Sequence, residues 1–219
     1  MINRIEIGFK TGVRDALGEK IRRRIIEHLK ISVDKVRTIE VYTLVSDLSL
    51  QELEAAAAGP LSDPIIQEFK INKGLAEHFT WLVEVGFRPG VTDNVGKTAR
   101  EAISLLLDIP PDKALSVYTS RQYLLNGSIG RPEAEKIASN LLANELIEHF
   151  EVIDGITWNP EKGMTPYVPR VTGSSNPDTD EIDLHVTDDR LLAISNERVL
   201  ALNLDEMKTL RNYFLDEKI

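Results

Sequence analysis

Ile5-Glu6-Ile7-Gly8-Phe9-Lys10-Thr11-Gly12-Val13-Arg14-Asp15-Ala16-Leu17-Gly18 returns 78 positions later as Val83-Glu84-Val85-Gly86-Phe87-Arg88-Pro89-Gly90-Val91-Thr92-Asp93-Asn94-Val95-Gly96. Glu, Gly, Phe, Gly, Val, Asp and Gly recur at identical spacing, and most other positions keep their character. The period exceeds the roughly 20–50 residues of a solenoid unit. It reads as one small domain written out twice and fused.

In the first copy Ile5, Ile7 and Phe9 alternate with Glu6, Gly8 and Lys10, the period of a strand with one buried face. After a turn at Gly12, Leu17, Ile21, Ile25 and Leu29 form a helical stripe widened by Ile26, with Glu19, Lys20, Arg22, Arg23 and Glu27 on the wet side. Val36, Ile39, Val41 and Tyr42 predict a second strand. Ser49-Leu50-Gln51-Glu52 has capping-box spacing, and the short helix it opens is expected to stop at Gly59-Pro60. A third strand is expected from Ile65 to Ile71, after Asp63-Pro64.

The second copy repeats this order. Adding 78 to the helical stripe gives Val95, Ala99, Ile103 and Leu107, all apolar. Ile31 and Asp34-Lys35 map in the same way onto Ile109 and Asp112-Lys113, while Val117 and Tyr118 echo Val41 and Tyr42 with a small shift. Asn126-Gly127 marks a turn, and Pro132 suits a helix start because its absent N–H has no partner there. Leu146 to Val152 matches Ile65 to Ile71 as the last strand. The fold predicted is α+β: tandem β-α-β-α-β units, residues 1–78 and 79–155, packed as a pseudo-dimer. Each copy of about 75 residues would cover its own sheet poorly alone.

Residues 156–219 change character. Pro160, Gly163, Pro166, Pro169, Gly173, Ser174, Ser175 and Pro177 point to an extended linker. Short helices follow, one capped by Thr187 and one by Asn203, the latter with the stripe Leu204, Met207, Leu210 and Phe214. That stripe reaches the last residues without a C-cap, so the chain is expected to continue past Ile219.

Composition narrows the function. A net charge of −9 argues against a phosphate-backbone partner, and no apolar run approaches the roughly 20 residues that cross a bilayer. The start carries no signal-peptide layout, so a cytoplasmic protein is expected. With no cysteine, disulfides, thiolate metal sites and cysteine nucleophiles are absent. Gly96-Lys97-Thr98 opens a helix after a strand, but a phosphate loop also needs Gly at position 91, which is Val. Gly8 and Gly86 read first as places of close packing inside a strand. His28, His78, His149 and His185 lack metal-ligand spacing, and no carboxylate pair stands out as an acid–base couple. No catalytic, cofactor-binding or metal residue is therefore assigned.

The second copy, Glu84-Val85-Gly86-Phe87-Arg88-Pro89-Gly90-Val91-Thr92-Asp93, resembles the amino-terminal region of large, single-chain phosphoribosylformylglycinamidine (FGAM) synthase, a region similar to a fused dimer of the small PurS subunit. Leu200-Ala201-Leu202-Asn203-Leu204-Asp205-Glu206-Met207-Lys208-Thr209-Leu210-Arg211-Asn212-Tyr213-Phe214 looks like the linker that precedes the synthetase domain of that enzyme. The resemblance implies a part of an ATP- and glutamine-dependent amido-ligase of purine synthesis. The catalytic machinery, with its ATP and Mg, would lie in a synthetase domain outside this sequence, and the family's glutaminase uses a Cys that this chain lacks. Alone, the chain would be inactive. It would be a scaffold against which the synthetase and glutaminase domains dock, with a wall of the ammonia path as one role, and self-association through the same surfaces stays open. The alternative is a regulatory module binding a small molecule between the repeats.

Overall fold

A computed structural model describes residues 1–110, 114–171 and 180–216. Contacts divide the chain into two units, Met1–Val171 and Thr172–Ile219. In the first unit, β1 (Ile2–Phe9), α1 (Ala16–Arg24), β2 (Lys35–Val45), α2 (Leu50–Ala56) and β3 (Gln67–Ile71) are followed by β4 (Trp81–Phe87), α3 (Asn94–Leu106), β5 (Ser116–Asn126), α4 (Arg131–Ile137) and β6 (Glu148–Asp154). This is the mixed α+β fold read from the periodicity, with β-α-β-α-β occurring twice. All six strands form one antiparallel sheet in the order β3-β1-β2-β5-β4-β6, which is unchanged when the halves are exchanged. The halves meet at β2 and β5, in register from Lys35 opposite Asn126 to Val45 opposite Ser116.

The helices make the pairing obligatory. Ile21 and Ile25 of the first half lie in one apolar cluster with Trp81, Val83, Tyr123, Leu125 and Ile137 of the second. Conversely, Ala99 and Ile103 of α3 join Ile5, Ile7, Tyr42, Leu44 and Leu53 of the first half. Each core thus contains a helix from the opposite copy. Complete burial of an Ile such as Ile25 or Ile103 contributes about 1.5–3 kcal/mol, which either half would forgo by separating.

Strand alternation puts Arg4, Glu6, Val41, Gln122 and Glu84 on the other face of the sheet. Non-helical chain covers it. Leu75, Ala76 and Phe79, from the connection between the halves, pack there with Trp158 and Met164 from the stretch after β6. The Trp158 indole donates to the Ala76 carbonyl (2.9 Å), its ring meets Phe79 edge-on, and the Gly74 N–H donates to the Pro160 carbonyl (2.7 Å). Pro160, Gly163, Pro166 and Pro169 do prevent regular structure, but residues 156–171 belong to the first unit. Gly173, Ser174, Ser175 and Pro177, like Asp112-Lys113, lie outside the described residues.

Several element boundaries differ from those expected. The helix predicted to stop at Gly59-Pro60 continues as a π-helical turn, Ala57–Leu61, that seats Leu61 in the core. Its counterpart is Ala138–Leu142, and α1 likewise runs into a π-turn, Ile25–Leu29. One extra residue per turn rotates the next apolar side chain inward. The third strand of each copy starts later than predicted, at Gln67 and Glu148. Asp63 accepts from the Ile65 N–H (2.8 Å), Asn144 from the Leu146 N–H (3.2 Å), and both fold the preceding residues into a turn. Val95, predicted to share the apolar stripe of α3, is 58% exposed.

The second unit contains α5 (Asp188–Glu197) and α6 (Leu204–Asp216). Met207 of α6 is buried with Leu191 and Ile194 of α5, so the stripe of α6 has a partner in its first turn. The Ser195 hydroxyl bridges the connection, donating to the Leu202 carbonyl (2.7 Å) and accepting from the Leu202 N–H (3.0 Å). Asn203 and Glu206 cap each other reciprocally, as their spacing predicts.

Candidate functional site

Two matched aspartates build the strand-to-helix junctions. Asp15 accepts from the Gly18 N–H (2.7 Å), the Thr38 N–H (2.6 Å) and the Thr38 hydroxyl (2.9 Å). Asp93 accepts from the Gly96 N–H (2.7 Å), the Thr119 N–H (2.6 Å) and the Thr119 hydroxyl (2.9 Å). A Cβ on Gly18 would overlap the Val36 carbonyl oxygen, and one on Gly96 that of Val117. The glycines therefore bring helix onto strand. The Gly96 N–H is committed to a carboxylate, whose charge would repel a phosphate at this helix start. Gly8 and Gly86 also serve close approach: a Cβ would meet Leu75 at 3.0 Å and His149 at 3.2 Å.

At the seam between the halves lies a buried ion cluster. The Arg4 guanidinium holds both oxygens of Glu84 (3.0 and 2.5 Å) and, through Nε, Glu6 (2.8 Å). The Gln122 amide donates to both glutamates (3.1 and 3.0 Å), the Ser120 hydroxyl to Glu84 (2.6 Å), and the Leu75 N–H to Glu6 (2.7 Å). Burial alone would push the Glu84 carboxyl up. Arg4 and the hydrogen bonds from Arg4, Ser120 and Gln122 outweigh it and hold the group below the usual carboxylate range. Burial would likewise lower Arg4, and Glu84 and Glu6 more than reverse it. These groups face one another, and the cavity beside Glu84 is about 20 Å³, room for a single water. Their chemistry is that of a fixed counter-ion.

The repeat concealed this cluster. Position 82, the counterpart of Arg4, is Leu, and the strand register places Gln122-Tyr123, not the Val117-Tyr118 expected from the sequence echo, where the first half has Val41-Tyr42. The available signal was a Glu at the same place in both copies between apolar neighbours, Ile5-Glu6-Ile7 and Val83-Glu84-Val85.

Two further features are shared by the halves. Lys10 donates to the carbonyls of Pro64 (2.5 Å) and Ile65 (3.3 Å), and Arg88, 78 positions on, to those of Glu145 (2.9 Å) and Glu148 (2.8 Å). Each thereby clamps a turn whose tip is apolar and solvent-facing: Ile65 is 81% and Leu146 88% exposed. On the helical face, Glu40 and Arg121 lie opposite each other across β2 and β5, their charged atoms 3.4 Å apart. With Tyr42, Val85, Val95 and Tyr123 they line a cleft of about 230 Å³ between the repeats. Burial, and then Glu40, pushes the Tyr42 phenol up to about 12, so it stays a neutral donor.

The histidines do not converge, and among the described residues no group of three or more His, Cys, Asp or Glu is disposed to hold a metal. His149 packs on Tyr167, ring centroids 4.2 Å apart. No helix among the described residues is long and apolar enough to cross a membrane.

By fold this is a pseudo-two-fold α+β protein, two β-α-β-α-β units sharing one sheet, with a buried ion cluster at the seam and no open acid–base centre among the described residues. The family model PurS, described as phosphoribosylformylglycinamidine (FGAM) synthase, matches residues 3–74. Over those residues, β1 to β3 of the first half, the chain is PurS-like. No curated protein matches the chain.

Proposed function

We propose that the chain is the PurS-like part of an FGAM synthase, the ATP- and glutamine-dependent ligase of purine biosynthesis, and that it serves as a docking scaffold rather than as a catalyst. The observation that carries this is the PurS match over residues 3–74, together with a second half of the same element order paired to it across one sheet. The partners are the synthetase and glutaminase domains of the same enzyme. ATP and Mg belong to the synthetase, and a wall of the ammonia path is one contribution this surface can make.

The clamped apolar tips, Ile65-Ile66 and Leu146-Ile147, suit docking: exposed aliphatic side chains on a fixed turn lose little entropy on burial. The chain is mixed with separately produced synthetase and glutaminase. It is expected to bind them and to turn over formylglycinamide ribonucleotide only in their presence. Ile65→Asp with Leu146→Asp is expected to weaken binding while the circular dichroism spectrum is unchanged. Turnover by the chain alone, or undiminished binding by the double variant, would refute the scaffold reading.

A second reading, a regulatory small-molecule site between the repeats, is favoured by the Glu40–Arg121 cleft. Calorimetry with purine-pathway metabolites on the wild-type chain and on Arg121→Gln distinguishes it, since only a cleft ligand loses heat in the variant.

A further inference from the structure

Two cavities on the sheet face that carries Glu6 and Glu84 are mates under the pseudo-two-fold. Gly86 pairs with Ser120 on one side and His149 on the other; Gly8 pairs with Ile39 and Glu68. Each glycine, with its neighbours, floors one cavity. In the second half the chain fills its own cavity. The Tyr167 ring lies on His149 and Pro169 follows, leaving only about 20 Å³. The first-half cavity is open, at about 540 Å³.

The chemistry of the two differs as much as their volume. Where the filled cavity has Tyr118, the open one has Arg37, and Lys35, Lys70 and His78 join its wall beside Glu68 and Glu77. Lys70 is paired with Glu77 (3.3 Å), and Arg37 donates to the Phe9 carbonyl through one nitrogen. The Lys35 ammonium has no ion-pair partner among the described residues. Glu68 has no ion-pair partner there either, so the wall carries three cations, Lys35, Arg37 and Lys70, against two carboxylates, a small local surplus in a chain of net charge −9.

We propose that this cavity docks an extended, acidic segment of a partner protein, with an aromatic side chain in the place that Tyr167 takes in the other half. The shape argument is the filled mate. The charge argument is Lys35 and Arg37, which suit carboxylates, and the Arg37 guanidinium, whose face can take a ring. The inference goes beyond the PurS-like reading and does not rest on it.

The probe is the peptide Gly-Asp-Thr-Pro-Tyr-Val-Pro-Glu, the strap around Tyr167 with acids at its flanks, titrated into the full chain and followed by calorimetry and amide chemical shifts. Binding with shifts centred on Gly8, Leu75 and Leu124 is expected. Lys35→Glu, at an exposed position, is expected to weaken it by about tenfold or more, as is replacing the peptide's Tyr by Ala. Absence of shifts at Gly8 and Leu124 with millimolar peptide would overturn the proposal. So would shifts indifferent to both changes, or equal shifts with inorganic phosphate alone, which would mark a simple anion site.

Discussion

Arg4 shows how one side chain can be decided by a residue eighty positions away. It sits on a strand where its repeat counterpart is Leu82, yet it is buried because Glu84 and Glu6 take its charge. Removing it strands two carboxylates in the interior, so Arg4→Met is expected to cost about 3–5 kcal/mol, read from the urea midpoint. An unchanged midpoint would show that the cluster is not what joins these strands. Glu84 sets the pH dependence. Its folded pKa lies below the unfolded value of about 4.3, so its contribution is present above that pH and fades as pH falls through the folded value. Glu84→Gln should therefore be less stable than wild type at neutral pH, with the gap closing below about pH 4. A gap that persists in acid would assign the loss to packing instead.

Among the elements, the strand-to-helix junction was legible and its cause was not. The recurrence of Asp15 and Gly18 as Asp93 and Gly96 was plain in the sequence, but that Asp reaches across to Thr38 or Thr119, and that Gly admits a strand carbonyl, needed the packed helix. Gly18→Ala and Gly96→Ala are each expected to destabilise by about 1–3 kcal/mol through overpacking, against a helix-propensity gain near 1 kcal/mol for an unconstrained site. Thermal denaturation decides, and a rise in melting temperature would remove the close-approach argument. The element ends were misread for a local reason. Asp63 and Asn144 fold into turns the very residues, Ile65-Ile66 and Leu146-Ile147, whose β-branched and aliphatic character suggested strand. The π-turns were invisible because their purpose, seating Leu61 against other elements, is tertiary.

For the whole molecule, the exchange of helices between halves predicts how a shortened chain behaves. Residues 1–78 alone lack α3 and should pair with a second copy, each α1 standing in for the missing helix. In that dimer Glu40 faces Glu40, where the intact chain opposes Glu40 with Arg121. Like charges directly across a strand pair are destabilising, so Glu40→Gln should tighten the association, measured by analytical ultracentrifugation. A monomer with native helix content would contradict the interleaved core. Across β2 and β5, the two residues nearest the pseudo-two-fold axis of the intact chain carry opposite charges.

What the sequence determined by itself was whatever periodicity and recurrence encode: six strands, the helices between them, the equivalence of the halves and the absence of cysteine chemistry. These are properties of neighbours a few residues apart, or of a comparison at constant offset. Tertiary structure alone decided which helix covers which half, which glutamates meet an arginine, and which of two matched cavities the chain fills with its own Tyr167. Those depend on residues brought together only when β2 pairs with β5. Arg4 and Gln122, whose counterparts are Leu82 and Val41, also lie where the two halves differ, and there the repeat is silent.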